Sequence, residues 1–161
     1  MRQYLMALTK RGIRPASRGN PPDLDANTTI GEVAASPSRV FKVAIDGATS
    51  AAANAFAFKN PFGVEAMVGT VALVVDTGVT TLTIDIGTDA DGTGSSDNLL
   101  DGAGIGTAQA DSLQENANDG GTNGQAAQVL GADEYITGTA SDTATALEAR
   151  VYITLTPVTT G

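Results

Sequence analysis

EAMVGTVALVVDTGVTTLTIDIGT, residues 65–88, is the stretch from which the fold class follows. Its second half alternates strictly, with Leu82, Ile84 and Ile86 on one side and Thr81, Thr83 and Asp85 on the other. A period of two belongs to a half-buried β-strand, because successive side chains leave an extended backbone on opposite faces. The first half is apolar on both faces. Val71, Leu73 and Val75 share one, and Val68, Ala72 and Val74 share the other, as expected of a central strand covered on both sides. Between the halves, Asp76–Val79 (DTGV) offers a glycine that tolerates positive φ. The two strands are therefore expected to pair as an antiparallel hairpin.

The same alternation flanks this stretch. In RVFKVAID, residues 39–46, Phe41, Val43 and Ile45 share a face opposite Lys42 and Asp46. Phe56 and Phe58 share a face opposite Lys59 before Pro61 and Gly63 turn the chain. Near the end, Val151, Ile153 and Leu155 alternate with Tyr152, Thr154 and Thr156 until Pro157 stops the pattern. No helical periodicity of convincing length appears. Short Thr- and Val-rich strands joined by Gly, Asn and Asp turns predict an all-β fold, an antiparallel β-sandwich of jelly-roll-like type, over residues 39–161. Residues 88–128 are long and polar, and a structureless loop of that length is improbable. NLLDG, residues 98–102, is expected to hold a short strand or to pin the loop to the core. TAQADSLQEN, residues 107–116, is expected to form a short helix, and GGTNG, residues 120–124, a turn.

Residues 1–38 read differently. Gly19, Pro15, Pro21 and Pro22 break any regular element, so an extended N-terminal arm is expected, lying on the body or on a neighbour. The arm begins basic, with Arg2, Lys10, Arg11, Arg14 and Arg18 and no acid in its first twenty residues, and one aromatic, Tyr4. The body is acidic: from Asn60 onward Arg150 is the only base, within a net charge of −9 for the chain. Such a body does not suit nucleic acid, whose phosphates call for clustered Lys and Arg. The arm is assigned to an acidic protein surface instead. No apolar run reaches the roughly 18 residues of a membrane helix, and MRQYLMALTKRGIRP lacks the apolar core and small-residue cleavage site of a secretion signal. Neither a membrane partner nor a cofactor is expected. Much of the 42% hydrophobic content is alanine, which buries little area, and this hints at partner subunits that complete the burial.

The chemistry available to the chain is narrow. It contains no cysteine and no histidine. That removes disulfides, thiolate metal sites and the commonest general base. Ser95 and Ser96 therefore have no histidine to activate them. The carboxylate pairs Asp89 with Asp91 and Asp133 with Glu134 read as turn residues. Gly102-Ala-Gly104-Ile-Gly106 lacks the spacing of a dinucleotide loop and has aspartates nearby that repel phosphate. Calcium is the one metal to weigh: Asp89, Asp91, Asp97 and Asp101 put four carboxylates within thirteen residues. The helix-loop-helix calcium pattern fails, because Leu100 stands where its bidentate Glu belongs. The expectation is a protein that is not an enzyme.

One resemblance gathers these features. ALVVDTGVTTLTIDIGTDADGTGSSDNLLDG is similar to a pattern in small tailed-phage virion proteins encoded among head genes, in which a strand pair leads to a polar loop ending S-x-D-N-L-L-D-G. GTNG at residues 121–124, GADEYITGTASDTATALEARVYITLTPV and FAFKNPFG resemble further marks of the same family, in the same order. The likeness covers about residues 54–158. Leu155 stands where the pattern usually carries an aromatic, and Arg150 where it often shows a glycine.

The resemblance implies a capsid decoration, or cement, protein: a jelly-roll-like homotrimer on the outer surface of the virion capsid, clamping neighbouring major capsid protein subunits. It further implies that the loop from Thr88 to Asp101 is a hairpin connection and subunit contact, with Asn98, Leu99 and Leu100 tucked against the core. Arg2, Tyr4, Lys10, Arg11, Arg14 and Arg18 are the residues expected to touch the capsid. Another virion component, such as a head-fibre base or tail adaptor, and a calcium-dependent binding module are the alternative readings.

Overall fold

The computed structural model describes residues 38–48 and 54–158. Within them nine strands form two antiparallel sheets that face each other. They are β1 (Arg39–Ala48), β2 (Asn54–Lys59), β3 (Ala66–Thr77), β4 (Thr83–Asp89), β5 (Leu100–Gly104), β6 (Leu113–Glu115), β7 (Gln128–Leu130), β8 (Tyr135–Ala140) and β9 (Ala144–Pro157). One sheet runs β1-β9-β3-β6, with β7 also on β3; the other runs β2-β8-β4-β5. The chain changes sheet between β1 and β2, β2 and β3, and β3 and β4, while β4 and β5 are neighbours in one sheet and β6 and β7 both lie on β3 in the other. The first strand pairs with the last, as in an antiparallel β-sandwich.

This winding corrects the hairpin expected at Asp76–Val79. β3 and β4 lie in different sheets and do not pair. The connection between them crosses over the core and bonds instead to the segment after β5: Val79 N–H donates to Ile105 O, and Ile105 N–H to Leu82 O, both at 2.9 Å. The reason is burial. As hairpin partners, Val71, Leu73 and Val75 would lie beside Ile84 and Ile86 in one sheet; in opposed sheets the two rows cover each other. All five are fully buried, as are Val151, Ile153 and Leu155 of β9 and Ile136 of β8. Each such side chain contributes roughly 1.5–3 kcal/mol over its exposed state.

A bulge in β3 corrects a second expectation. The register against β9 shifts between Val68 and Val71, which moves Val68 to the inner face with Val71, where it is fully buried. On the far side of β3, β7 pairs before the bulge and β6 after it. Asn116, 3% exposed, fills the junction. Its Oδ1 accepts the Val71 N–H at 2.9 Å, and its Nδ2 donates to Gly69 O and Gln125 O at 3.0 Å each. Asn116 opens a four-residue helix, α1 (Asn116–Asp119). The helix expected over residues 107–116 is instead a 3-10 turn, Thr107–Gln109, followed by β6; no apolar row at helical spacing holds that segment as a helix.

Candidate interaction surface

The loop from β4 to β5 folds back over the outer face of its own sheet. Gly87 makes this approach possible: a Cβ there would stand 2.6 Å from Ser96 Cβ and 2.7 Å from Asn98 Oδ1. Beneath the loop, Thr137 of β8 is fully buried. Asn98 closes the loop's base, its Oδ1 accepting the Thr88 N–H at 2.9 Å and its Nδ2 donating to Thr88 Oγ1 at 2.8 Å. Asn54 Nδ2 holds the tip through Gly92 O at 2.8 Å. The hairpin connection and the tucked end expected of this loop are both present, since β4 pairs with β5.

The four aspartates of the calcium reading all accept hydrogen bonds, Asp89 and Asp91 from their own turn and Asp97 and Asp101 from a distant segment. Asp89 Oδ2 accepts the N–H groups of Gly92 (2.7 Å) and Gly94 (3.1 Å). Asp91 Oδ1 accepts the Thr93 hydroxyl (2.6 Å) and N–H (2.9 Å), and these bonds, the hydroxyl first, hold its carboxyl below the ordinary carboxylate range. Asp97 Oδ2 accepts from Asn123 Nδ2 at 2.9 Å. Asp101 Oδ2 accepts the N–H groups of Thr122 and Asn123, each at 3.1 Å. Among the described residues no three acidic side chains converge on a point that could hold a cation. Asp89 and Asp91 thus form local Asx-type turns, and Asp97 and Asp101 bond across to residues 122 and 123.

The same bonds join motifs that lie far apart in sequence. SSDNLLDG meets GGTNG through Asp97 and Asp101, through Asp101 N–H to Gly120 O at 3.1 Å, and through Gln125 N–H to Asn98 O at 3.0 Å. Gly121 takes φ +69 there, and a Cβ on it would stand 2.9 Å from Asp101 Cβ. FKNP meets GADEY through Asn60, which is 4% exposed. Its Nδ2 donates to Val64 O and Gly131 O at 2.8 Å, its Oδ1 accepts the Phe62 N–H at 3.0 Å, and its own N–H donates to Glu134 O at 2.9 Å.

The residues expected to make contacts divide into two groups. Leu99 and Leu100 are fully buried in this chain's own core, which corrects their assignment as subunit contacts; side chains already packed inside offer nothing to a partner. Asn98 is half-buried and committed to Thr88. Arg2, Tyr4, Lys10, Arg11, Arg14 and Arg18 lie outside the described residues.

Contact-making groups that the motifs did not mark lie elsewhere. Val40, Met67, Leu113 and Val129 are 43–66% exposed. Each sits on the outer face of the β1-β9-β3-β6 sheet, in register opposite Thr154, Thr156, Val74 and Met67 respectively. Half-buried Phe41 packs against Phe58 and Phe62, with ring centroids 5.3 and 5.9 Å away. On the outer face, the Arg150 guanidinium pairs with Asp76, Nε to Oδ2 at 2.8 Å and Nη2 to Oδ1, and that pairing raises the arginine's pKa above its ordinary value. The sequence pattern does not single out these surface residues, since Leu113 falls in an expected helix and residues 65–76 read as apolar on both faces; only register assigns each face a side.

No family model matches this chain, no curated protein matches it, and no solved structure matches it.

Proposed function

We propose that this protein is a capsid decoration protein. It attaches as a homotrimer to the outer surface of a tailed-phage head and ties neighbouring major capsid protein subunits together. The observation that carries the reading is the joining of its motifs. SSDNLLDG, GTNG, FKNP and the GADEY turn, the marks that resemble the virion family, are the residues whose side chains and turns bond to one another across the sandwich. The resemblance therefore rests on the framework of the fold and not on scattered surface composition.

Other features support the same reading. A cement protein works by contact area and needs no group that makes or breaks bonds, and the chain has neither histidine nor cysteine. Stable contacts bury on the order of 1,000 Å² or more, and a 38-residue arm adds such area at little cost in fold. Capsid symmetry then multiplies weak contacts many-fold. In this account the basic head of the arm, Arg2 to Arg18, reaches an acidic patch of the shell or of a neighbouring trimer. Asp89 and Asp91, bonded in their own turn, and Asp97 and Asp101, bonded to residues 122 and 123, do not converge, and this speaks against the calcium-module alternative.

Co-sedimentation tests the proposal. The purified protein, mixed with expanded, undecorated shells of the major capsid protein encoded beside it, is expected to pellet with them in saturable amount and to do so equally in EDTA. A protein that stays in the supernatant at every ratio contradicts the proposal; one that pellets only with calcium supports the module instead.

A further inference from the structure

The sandwich has two lateral edges, and they differ in character. One is formed by β1 and β2. These strands carry Arg39, Lys42 and Lys59 against a single acid, Asp46, and Asp133 pairs with Lys59 at 3.0 Å. The fourth base of the described residues, Arg150, is already held by Asp76. The aromatic cluster of Phe41, Phe58 and Phe62 is half-buried at this same edge, and the Arg39 guanidinium stands 5.6 Å from the Phe62 ring centroid.

The opposite edge is formed by β5 and β6, tied across the sandwich by Gln114, whose amide accepts the Gly104 N–H at 2.8 Å and donates to Gly104 O at 2.7 Å. Residues 100–121 there hold Asp101, Asp111, Glu115 and Asp119 and no base. Leu113 stands 58% exposed among them. Among the described residues β1 bonds to β9 alone, so that edge also presents a row of backbone groups able to accept a neighbour, whereas on β5 the Asp101 N–H and both backbone groups of Gly104 are already bonded within the chain.

We propose that these edges are the two halves of one head-to-tail interface, in which the β1–β2 edge of one copy seats against the β5–β6 edge of the next. Charge complementarity selects a second copy as the occupant. The described body is strongly acidic, so copies repel over most of their surface and attract where the basic edge meets an acidic one. It also selects the orientation. A self-complementary contact would set cations on cations, or four acids on four acids; the head-to-tail contact pairs unlike charges and lets Leu113 approach the aromatic cluster. Arginine and aromatic side chains are the anchors that interface cores favour. A contact between unlike patches closes into a ring when the rotation permits. That the ring has three members rests on the decoration reading; the pairing of edges does not.

Sedimentation velocity on the full-length chain tests the pairing. Wild type is expected to run as a trimer. Arg39→Glu with Lys42→Glu, which reverses the basic edge, is expected to weaken assembly at least about tenfold, equivalent to roughly 1.4 kcal/mol. Glu115→Lys with Asn118→Lys, which reverses the acidic edge, is expected to do the same. All four substitutions in one chain are expected to restore the trimer. Assembly unchanged by either reversal, no recovery in the combined variant, or a wild type that stays monomeric overturns the inference. None of these outcomes decides shell attachment, which co-sedimentation reads separately.

Crosslinking gives a second reading that is independent of charge, and the absence of native cysteine makes it clean. With a short bismaleimide, Lys42→Cys/Leu113→Cys is expected to give covalent dimers and trimers, and neither single variant any. Products from a single-cysteine variant show like edges in contact and overturn the proposal, as does an assembled double variant that gives none.

Discussion

Asn60 and Asn116 show how single polar side chains hold this sandwich together. Each is buried and serves backbone groups that no strand ladder reaches. Removing such a side chain leaves buried donors and acceptors without partners, at about 1–3 kcal/mol for each group lost. Asn60→Ala is therefore expected to lower unfolding stability by about 3 kcal/mol, read by urea denaturation; a loss below about 1 kcal/mol contradicts the role given to it. Asp91 is the second residue to test. Its carboxyl lies below the ordinary range because Thr93 bonds to its charged form. A depressed folded pKa contributes stability above the unfolded value and loses it as pH falls through the folded one. NMR titration is expected to place the Asp91 midpoint below that of an aspartate without hydrogen-bond donors, and Thr93→Val is expected to raise it. Neither asparagine was legible as a buried group, because Asn reads first as a turn residue. Burial is decided by chain segments brought together from 45 and 70 positions away.

Strand faces were legible and strand partners were not. Phe41, Val43 and Ile45, Ile84 and Ile86, and Val151, Ile153 and Leu155 point inward as the period of two requires. That period says nothing about which strand lies alongside, and Asp76–Val79 reads locally as a hairpin turn although the core is better closed by a crossover. The bulge at Gly69 was equally silent, since its partner Asn116 arrives from α1. Within the β4–β5 element, Leu99 and Leu100 anchor the loop that covers the sheet. Leu99→Ala is expected to cost about 3 kcal/mol through lost burial and the cavity left behind, and to raise hydrogen exchange at Gly92 and Gly94 above that of β9. Gly87→Ala is expected to lift the same loop by overlap with Ser96 and Asn98 and to destabilise by about 1–3 kcal/mol. Normal loop protection in either variant contradicts the packing described.

For the whole molecule, the charge asymmetry of the sequence and the geometry of the sandwich point the same way. A basic arm precedes an acidic body, and the few bases of that body gather at one edge. The proposed contact role is argued from the motifs; the edges proposed for it were not legible in the sequence, because only register and sheet order bring their residues together. Deleting residues 2–20 is expected to reduce shell occupancy while leaving the sandwich's unfolding transition in place, and unchanged occupancy contradicts the role given to the arm. The most direct measurement is an electron cryo-microscopy reconstruction of expanded shells incubated with the full-length protein. The account predicts added density on the outer surface at three-fold and quasi-three-fold positions, large enough for three sandwiches. Shells without that density at saturating protein, or density on the inner surface, contradict it.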